Sequence, residues 1–364
     1  MAKRLYVAAT RQNEGKTMVS LGILASLKAR GIEVGFIKPV GQRYVRVGDY
    51  MVDEDSYLMD QVFELGAPLE DMSPVVVGRG FTSEYIDKPS VEPLLDHIHR
   101  AYEAVSRGKD VVVIEGTGHA GVGSVFDLGN AAVARFLEAK VVLISCGGIG
   151  RPIDELILNQ ALFEKHGVEI VGAVINKVEA ERLDRIRDYA GRGLARLGMS
   201  LLGAIPERKA LSNATVRQIR DEMNAELISG EAGLDDTVDK IVVGAMTPHR
   251  AMDHFSRRAL VITPGDREDI ILAAMSSCAV GVGKAYCVSG ICLTGGLKPH
   301  KTVLRLIRRT EIPVMIVPDD TYSAASKISD LVVKIRPTDK EKIRIAGRLA
   351  REYLDLDTLL ERIG

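Results

Sequence analysis

Continuous apolar runs, rather than alternating ones, recur along the first two thirds of the chain. They are Leu5–Ala9, Val34–Val40, Val111–Ile114, Val141–Ser145, Ile170–Asn176 and Leu201–Pro206. Runs of this kind suit strands of a parallel sheet buried on both faces. Between them, helical periodicity marks Thr17–Lys28, Val91–Val105, Leu128–Leu137, Ile153–Lys165 and Glu181–Leu197. Strand and helix alternate, which predicts a doubly wound α/β domain with its site beyond the carboxyl ends of the strands.

The small, acidic, glycine-containing stretch Ile228–Asp236 reads as a boundary loop. Beyond it a second, smaller α/β unit is expected. Its strands are read at Ala259–Thr263, Tyr286–Leu293, Val314–Val317 and Leu331–Ile335, and its helices at Glu268–Ser276, Thr302–Arg309 and Lys340–Tyr353. The domains are therefore set at 1–227 and 228–364.

Composition narrows the function classes. The chain has 364 residues, 46% hydrophobic and 27% charged, with a net charge of −1. That is enough for two full cores, and the scattered Lys and Arg give no basic footprint for nucleic acid. No apolar stretch approaches membrane-spanning length. The four cysteines show no C-x-x-C spacing, which favours buried free thiols in a cytoplasmic protein over a disulfide framework or zinc site.

Chemistry concentrates at three strand ends. The loop Thr10–Thr17 ends in Gly15-Lys16-Thr17 at a helix start, the arrangement in which backbone N–H groups cradle phosphates, Lys16 reaches the outer ones and Thr17 meets Mg²⁺. The strict pattern fails at its first glycine, where Thr10 stands. Lys38 follows the next strand and suits a second phosphate or substrate contact. Glu115 opens a glycine-rich run after Val111–Ile114, where an acidic group would hold Mg²⁺ or orient water.

Other residues carry two readings each. His119 is either an acid/base or an exposed loop histidine, and Asn176 either reads adenine or ends a strand. Asp53-Glu54-Asp55 either caps a helix or supplies a metal ligand. The glycine groups at Ser145–Gly150 and Gly281–Gly283 lack a full dinucleotide fingerprint and read as turns.

The combination of Glu14-Gly-Lys-Thr17, Ile37-Lys-Pro-Val40, Ile114-Glu-Gly-Thr-Gly118 and Leu202-Gly-Ala-Ile-Pro206 resembles dethiobiotin synthetase. It is still more similar to the synthetase-like domain at the N-terminus of long bacterial phosphotransacetylases. Pro264–Ile270, Leu293–Leu297 and Ile312–Tyr322 resemble the DRTGG domain that follows there. The resemblance implies a P-loop fold binding ATP and Mg²⁺ through Glu14, Gly15, Lys16, Thr17 and Met18, with Asn176 near adenine. Thr17, Asp55 and Glu115 would be the metal group, and Lys16, Lys38 and Glu115 the catalytic one.

Two departures from the synthetases favour a regulatory module: Ala9 where they open the loop with glycine, and the Gly118–Ser124 run of the phosphotransacetylase-associated domain. That module would bind a nucleotide and an unidentified metabolite, assemble as a homo-oligomer, and lack acetyl transfer because the chain ends soon after the DRTGG-like unit. The alternative is a synthetase of the dethiobiotin or cobyrinic acid a,c-diamide type that activates a small acid by phosphoryl transfer.

Overall fold

The computed structural model describes residues 2–279, 287–331 and 333–364. Its first unit is built on six strands: β1 (Lys3–Ala9), β2 (Val34–Ile37), β3 (Val111–Glu115), β4 (Lys140–Cys146), β5 (Ile170–Val178) and β6 (Leu201–Pro206). They form one parallel sheet in the order β6-β5-β4-β1-β3-β2. Every residue of β2 and β3 is buried, as the continuous apolar runs require.

Strand β1 runs into helix α1 (Lys16–Ala29), and its neighbours on either side are β3 and β4. Val7 pairs with Glu115, Ala9 with Ile144, and Cys146 with Asn176. This register brings the Thr10 loop, Glu115, Cys146 and Asn176 to one carboxyl edge. Between β2 and helix α2 (Glu54–Phe63) the chain forms an antiparallel hairpin of Tyr44–Val47 with Tyr50–Asp53.

The second unit spans Lys209–Lys334. Its five-stranded sheet runs β7-β11-β10-β9-β8, with β7 (Glu226–Ser229), β8 (Lys240–Val243), β9 (Ala259–Pro264), β10 (Gly290–Thr294) and β11 (Val314–Ile316). Strands β8 to β11 are parallel and β7 pairs antiparallel with β11. Apolar side chains such as Ile270, Ile291, Leu293 and Val314 fill its core.

Three expectations are corrected. The stretch at Ile228 is not a boundary, because Ile228 and Ser229 close the edge strand β7. No strand forms at the described residues of Leu331–Ile335, and Val332, like Tyr286 and Gly281–Gly283, lies outside the described residues. The third concerns the last thirty residues. The first unit comprises Met1–Arg208 together with Ile335–Gly364, so the segment expected to finish the second domain belongs to the first.

The physical cause is the face of helix α4 (Lys340–Tyr353), whose buried Ala346 and Ala350 pack on α1 at Gly22. A Cβ at Gly22 would lie 2.6 Å from Ala350 Cβ and 2.9 Å from the Ala346 carbonyl. Only glycine lets the two helices approach so closely. Gly22→Val is therefore expected to cost about 1–3 kcal/mol, read as a lower urea midpoint with unchanged slope; a midpoint equal to wild type would show that the helices separate freely.

The free-thiol expectation holds for Cys146 and Cys292, both buried and free, but not for Cys287, which is disulfide-bonded; the side chain of Cys278 lies outside the described residues. Among the described residues, no helix is long and apolar enough to cross a membrane.

Candidate functional site

The loop Thr10–Thr17 turns sharply at Gly15, whose φ of +93° starts α1. Two constraints fix glycine there. The left-handed backbone strains any L side chain, and a Cβ would sit 2.2 Å from Asn176 Nδ2. Behind the turn, the Glu14 carbonyl accepts hydrogen bonds from Asn176 Nδ2 at 2.9 Å and from the Cys146 thiol at 3.2 Å. Lys177 Nζ donates to the Asn13 carbonyl at 2.7 Å. The loop is thus held from below by the end of β5.

The structure places Asn176 behind the loop: it is only 2% exposed, and its Nδ2 is given to the loop backbone. Met18 is buried in α1, so its side chain belongs to the packing.

At the head of α1, Thr17 Oγ1 donates to Glu115 Oε1 at 3.0 Å, and Lys16 Nζ donates to the Gly118 carbonyl at 3.2 Å. Burial lowers the Lys16 pKa, and the Glu115 carboxylate opposes that effect. Glu115 is 1% exposed, and its Oε2 has no hydrogen-bond partner. Ser20 lies near enough to favour its ionised form but outside hydrogen-bond geometry. Burial first, and then the Asp55 charge, raise the Glu115 pKa to about 7.

Lys38 lies at the end of β2 and is 6% exposed. Its Nζ is 2.9 Å from Asp53 Oδ1 and in contact with Asp55 Oδ2. Burial alone would lower its pKa, but Asp55 and then Asp53 hold it well above the usual lysine value. Asp53 also caps α2, accepting from the Asp55 amide at 2.9 Å. The cap reading of the acidic run holds for Asp53, and Asp55 is placed against Lys38. Desolvation raises the Asp53 pKa, and its Oδ2 is buried with no hydrogen-bond partner.

The cluster holds two cations, half-buried Lys16 and buried Lys38, against three buried carboxylates, Asp53, Asp55 and Glu115. An excess of buried negative charge, expressed in the raised Glu115 and Asp53 values, is a reason for a cation to enter. Thr17 and Glu115 offer hard oxygen donors, the type Mg²⁺ takes. Among the described residues, no group of three or more His, Cys, Asp and Glu is gathered as a metal centre. Mg²⁺ commonly completes its shell with phosphate oxygens and water.

The glycine-rich run is held by Asn130, whose Nδ2 donates to the carbonyls of Thr117 at 2.7 Å and His119 at 2.6 Å. His119 itself is exposed, and its Nδ1 accepts from the Gly121 amide at 3.2 Å. That contact shapes its own loop. Sequence reasoning missed Asn130, Tyr6, whose hydroxyl donates to Asn130 Oδ1 at 2.8 Å, and Glu155, which ion-pairs with Arg11 at 2.6 Å.

A family model described as an AAA domain matches residues 3–215, and one described as a DRTGG domain matches residues 218–331. The phosphate acetyltransferase of Nitratidesulfovibrio vulgaris is 31% identical over 376 residues, covering 100% of this chain and 52% of the relative. That of Pseudomonas aeruginosa is 28% identical over 379 residues, covering 99% and 52%. The chain spans about half the length of the curated relatives it matches. Among solved structures, the CBS and DRTGG domains of the regulatory region of Clostridium perfringens pyrophosphatase match with a TM-score of 0.27 and 21% identity, covering 39% of this chain and 62% of that one.

Proposed function

The chain belongs to the AAA-domain family and carries a DRTGG domain behind it, and from that premise we propose that it is an ATP- and Mg²⁺-binding regulatory module akin to the N-terminal region of the phosphate acetyltransferases. One observation carries the reading: Lys16, Thr17 and Glu115 meet at the carboxyl edge of a parallel sheet, with Thr17 bonded to Glu115 at 3.0 Å. Phosphates would lie on the Gly15–Met18 amides and Lys16, at the positive end of α1. Mg²⁺ would be held by Thr17 and Glu115, with Asp55 beside them, and would neutralise phosphate charge. Asn176 acts through the loop backbone in this reading, not on the base.

The state of the two lysines favours sensing over turnover. Lys38 is engaged by two carboxylates, so little of its charge is left for a transferring phosphoryl group. Hydrolysis is then slow or absent, and the bound nucleotide biases the protein between conformations or partners. The DRTGG unit would sense a metabolite or hold subunits together.

Titration of Mg-ATP by calorimetry tests the site. Lys16→Ala should weaken binding about 100-fold, the upper range for a charge-assisted contact. Equal binding by both proteins would remove the assignment. Phosphate release in step with added diaminopelargonate and bicarbonate would instead establish the synthetase reading.

A further inference from the structure

One buried carboxylate near the loop has no part in the chemistry proposed above. Glu155 lies in helix α3 (Gly150–Lys165), which follows β4. Its Oε1 pairs with Arg11 Nη2 at 2.6 Å and Arg151 Nε at 3.5 Å. Its Oε2 accepts from Thr10 Oγ1 at 3.1 Å and from Ser145 Oγ at 3.5 Å. Thr10 Oγ1 is also 3.1 Å from Ser145 Oγ, and the Thr10 amide donates to the Ile144 carbonyl at 2.8 Å.

Thr10 stands where the phosphate-loop pattern has its first glycine. Glycine gives such a turn backbone latitude. Threonine gives it a side chain to hold. We infer that Glu155 is a positioning residue that fixes the mouth of the nucleotide loop through a hydrogen bond from Thr10 and an ion pair with Arg11, doing with side chains what the missing glycine does by backbone freedom.

The division of labour follows from the carboxylate's two oxygens. Oε2 takes the hydroxyls at the sheet edge by hydrogen bonding, while Oε1, which has no hydrogen-bond partner, is ion-paired with the guanidiniums, so the first two loop residues are tied to one rigid helix. Arg151 extends the tie, donating from Nη2 to the Cys146 carbonyl at 3.3 Å, and the Cys146 thiol in turn holds Glu14. Both ends of the loop therefore depend on the start of α3. A loop so held presents the Gly15–Thr17 amides without first having to order itself, and preorganisation of that kind acts on affinity.

This inference rests on the nucleotide-binding reading of the loop, so the experiment separates the two. Mg-ATP affinity and ligand-free amide exchange over residues 10–17 are measured for wild type, Lys16→Ala, Thr10→Val, Thr10→Ser, Glu155→Gln, Glu155→Ala and the Thr10→Val/Glu155→Ala double variant. Thr10→Val, which keeps the shape of the side chain, and Glu155→Ala should each weaken binding about tenfold, the weight of one hydrogen bond to a charged group. Both should speed exchange over the loop. The double variant should bind no worse than the poorer single one, because one contact is lost only once.

Thr10→Ser should restore wild-type affinity, and Glu155→Gln should fall between, keeping the hydroxyl arm and losing the charge. Additive losses in the double variant, or wild-type exchange in both singles, would overturn the inference. If wild type fails to bind Mg-ATP, or binds as Lys16→Ala does, the nucleotide reading fails, and loop exchange alone decides the role of Glu155.

Discussion

Lys38→Met is expected to destabilise the first unit by about 3–5 kcal/mol, the cost of breaking a buried ion pair by removing one partner. The substitution keeps most of the side-chain volume and removes only the charge. Asp53 and Asp55, 0% and 4% exposed, would then face each other and Glu115 with no cation between them. Asp53 has one oxygen without a hydrogen-bond partner even with Lys38 in place. Water cannot enter cheaply, so these carboxylates would take up protons or the site would open. Urea unfolding followed by far-UV circular dichroism measures the loss, and amide exchange assigns it to the first unit. Adding Asp55→Asn to the lysine variant should recover part of it, because one of the stranded charges is removed. A loss below about 1 kcal/mol would place the trio in the range of solvated surface pairs and undo the argument that it is a sealed charge cluster.

The same buried charges show how far the sequence could be read. Parallel strands buried on both faces leave continuous apolar runs, so β1 to β6 are legible in order, and the strand-end rule points to Lys16, Lys38 and Glu115 from the sequence alone. The hairpin that carries Asp53 toward Lys38 is not. Tyr44–Val47 alternates with Arg46 and has one half-buried face, a weak period over four residues. Helix α4 was legible as a helix but not in its partner, because periodicity says which face is apolar and not what it packs against; the Gly22 contact is a property of two distant segments. Strand β7 was lost because its apolar core is Leu227 and Ile228 alone, followed at once by Ser229 and Gly230. Glu155 was invisible for another reason. A single glutamate in an amphipathic helix ordinarily faces water, and its only sequence sign was indirect: the non-glycine Thr10 that needed something to hold it.

At pH 6, binding of Mg-ATP is expected to release up to one proton per site, and Glu115→Gln is expected to abolish that release. Glu115 is held at about 7 in the fold against an ordinary 4.5, chiefly by burial and then by Asp55. Below about pH 7 it is largely protonated, and a protonated carboxyl cannot serve a divalent cation, so affinity should fall as pH drops through that value. Calorimetry in buffers of different ionisation heat counts the proton directly.

Stability carries the opposite sign. A carboxyl raised in the folded state stabilises below its unfolded value, and that contribution is lost as pH rises through its folded value. For Glu115 the window runs from 4.5 to about 7 and is worth about 3 kcal/mol. Ligand-free Glu115→Gln should therefore match wild type near pH 5, be more stable than it at pH 8, and fail to bind Mg-ATP at either. A variant that gains stability while losing the ligand would identify Glu115 as a charge kept in the core for the cation it receives. Equal pH dependence in the two proteins would show instead that Glu115 is paired within the fold, and the case for a cation entering the cluster would lose its main support.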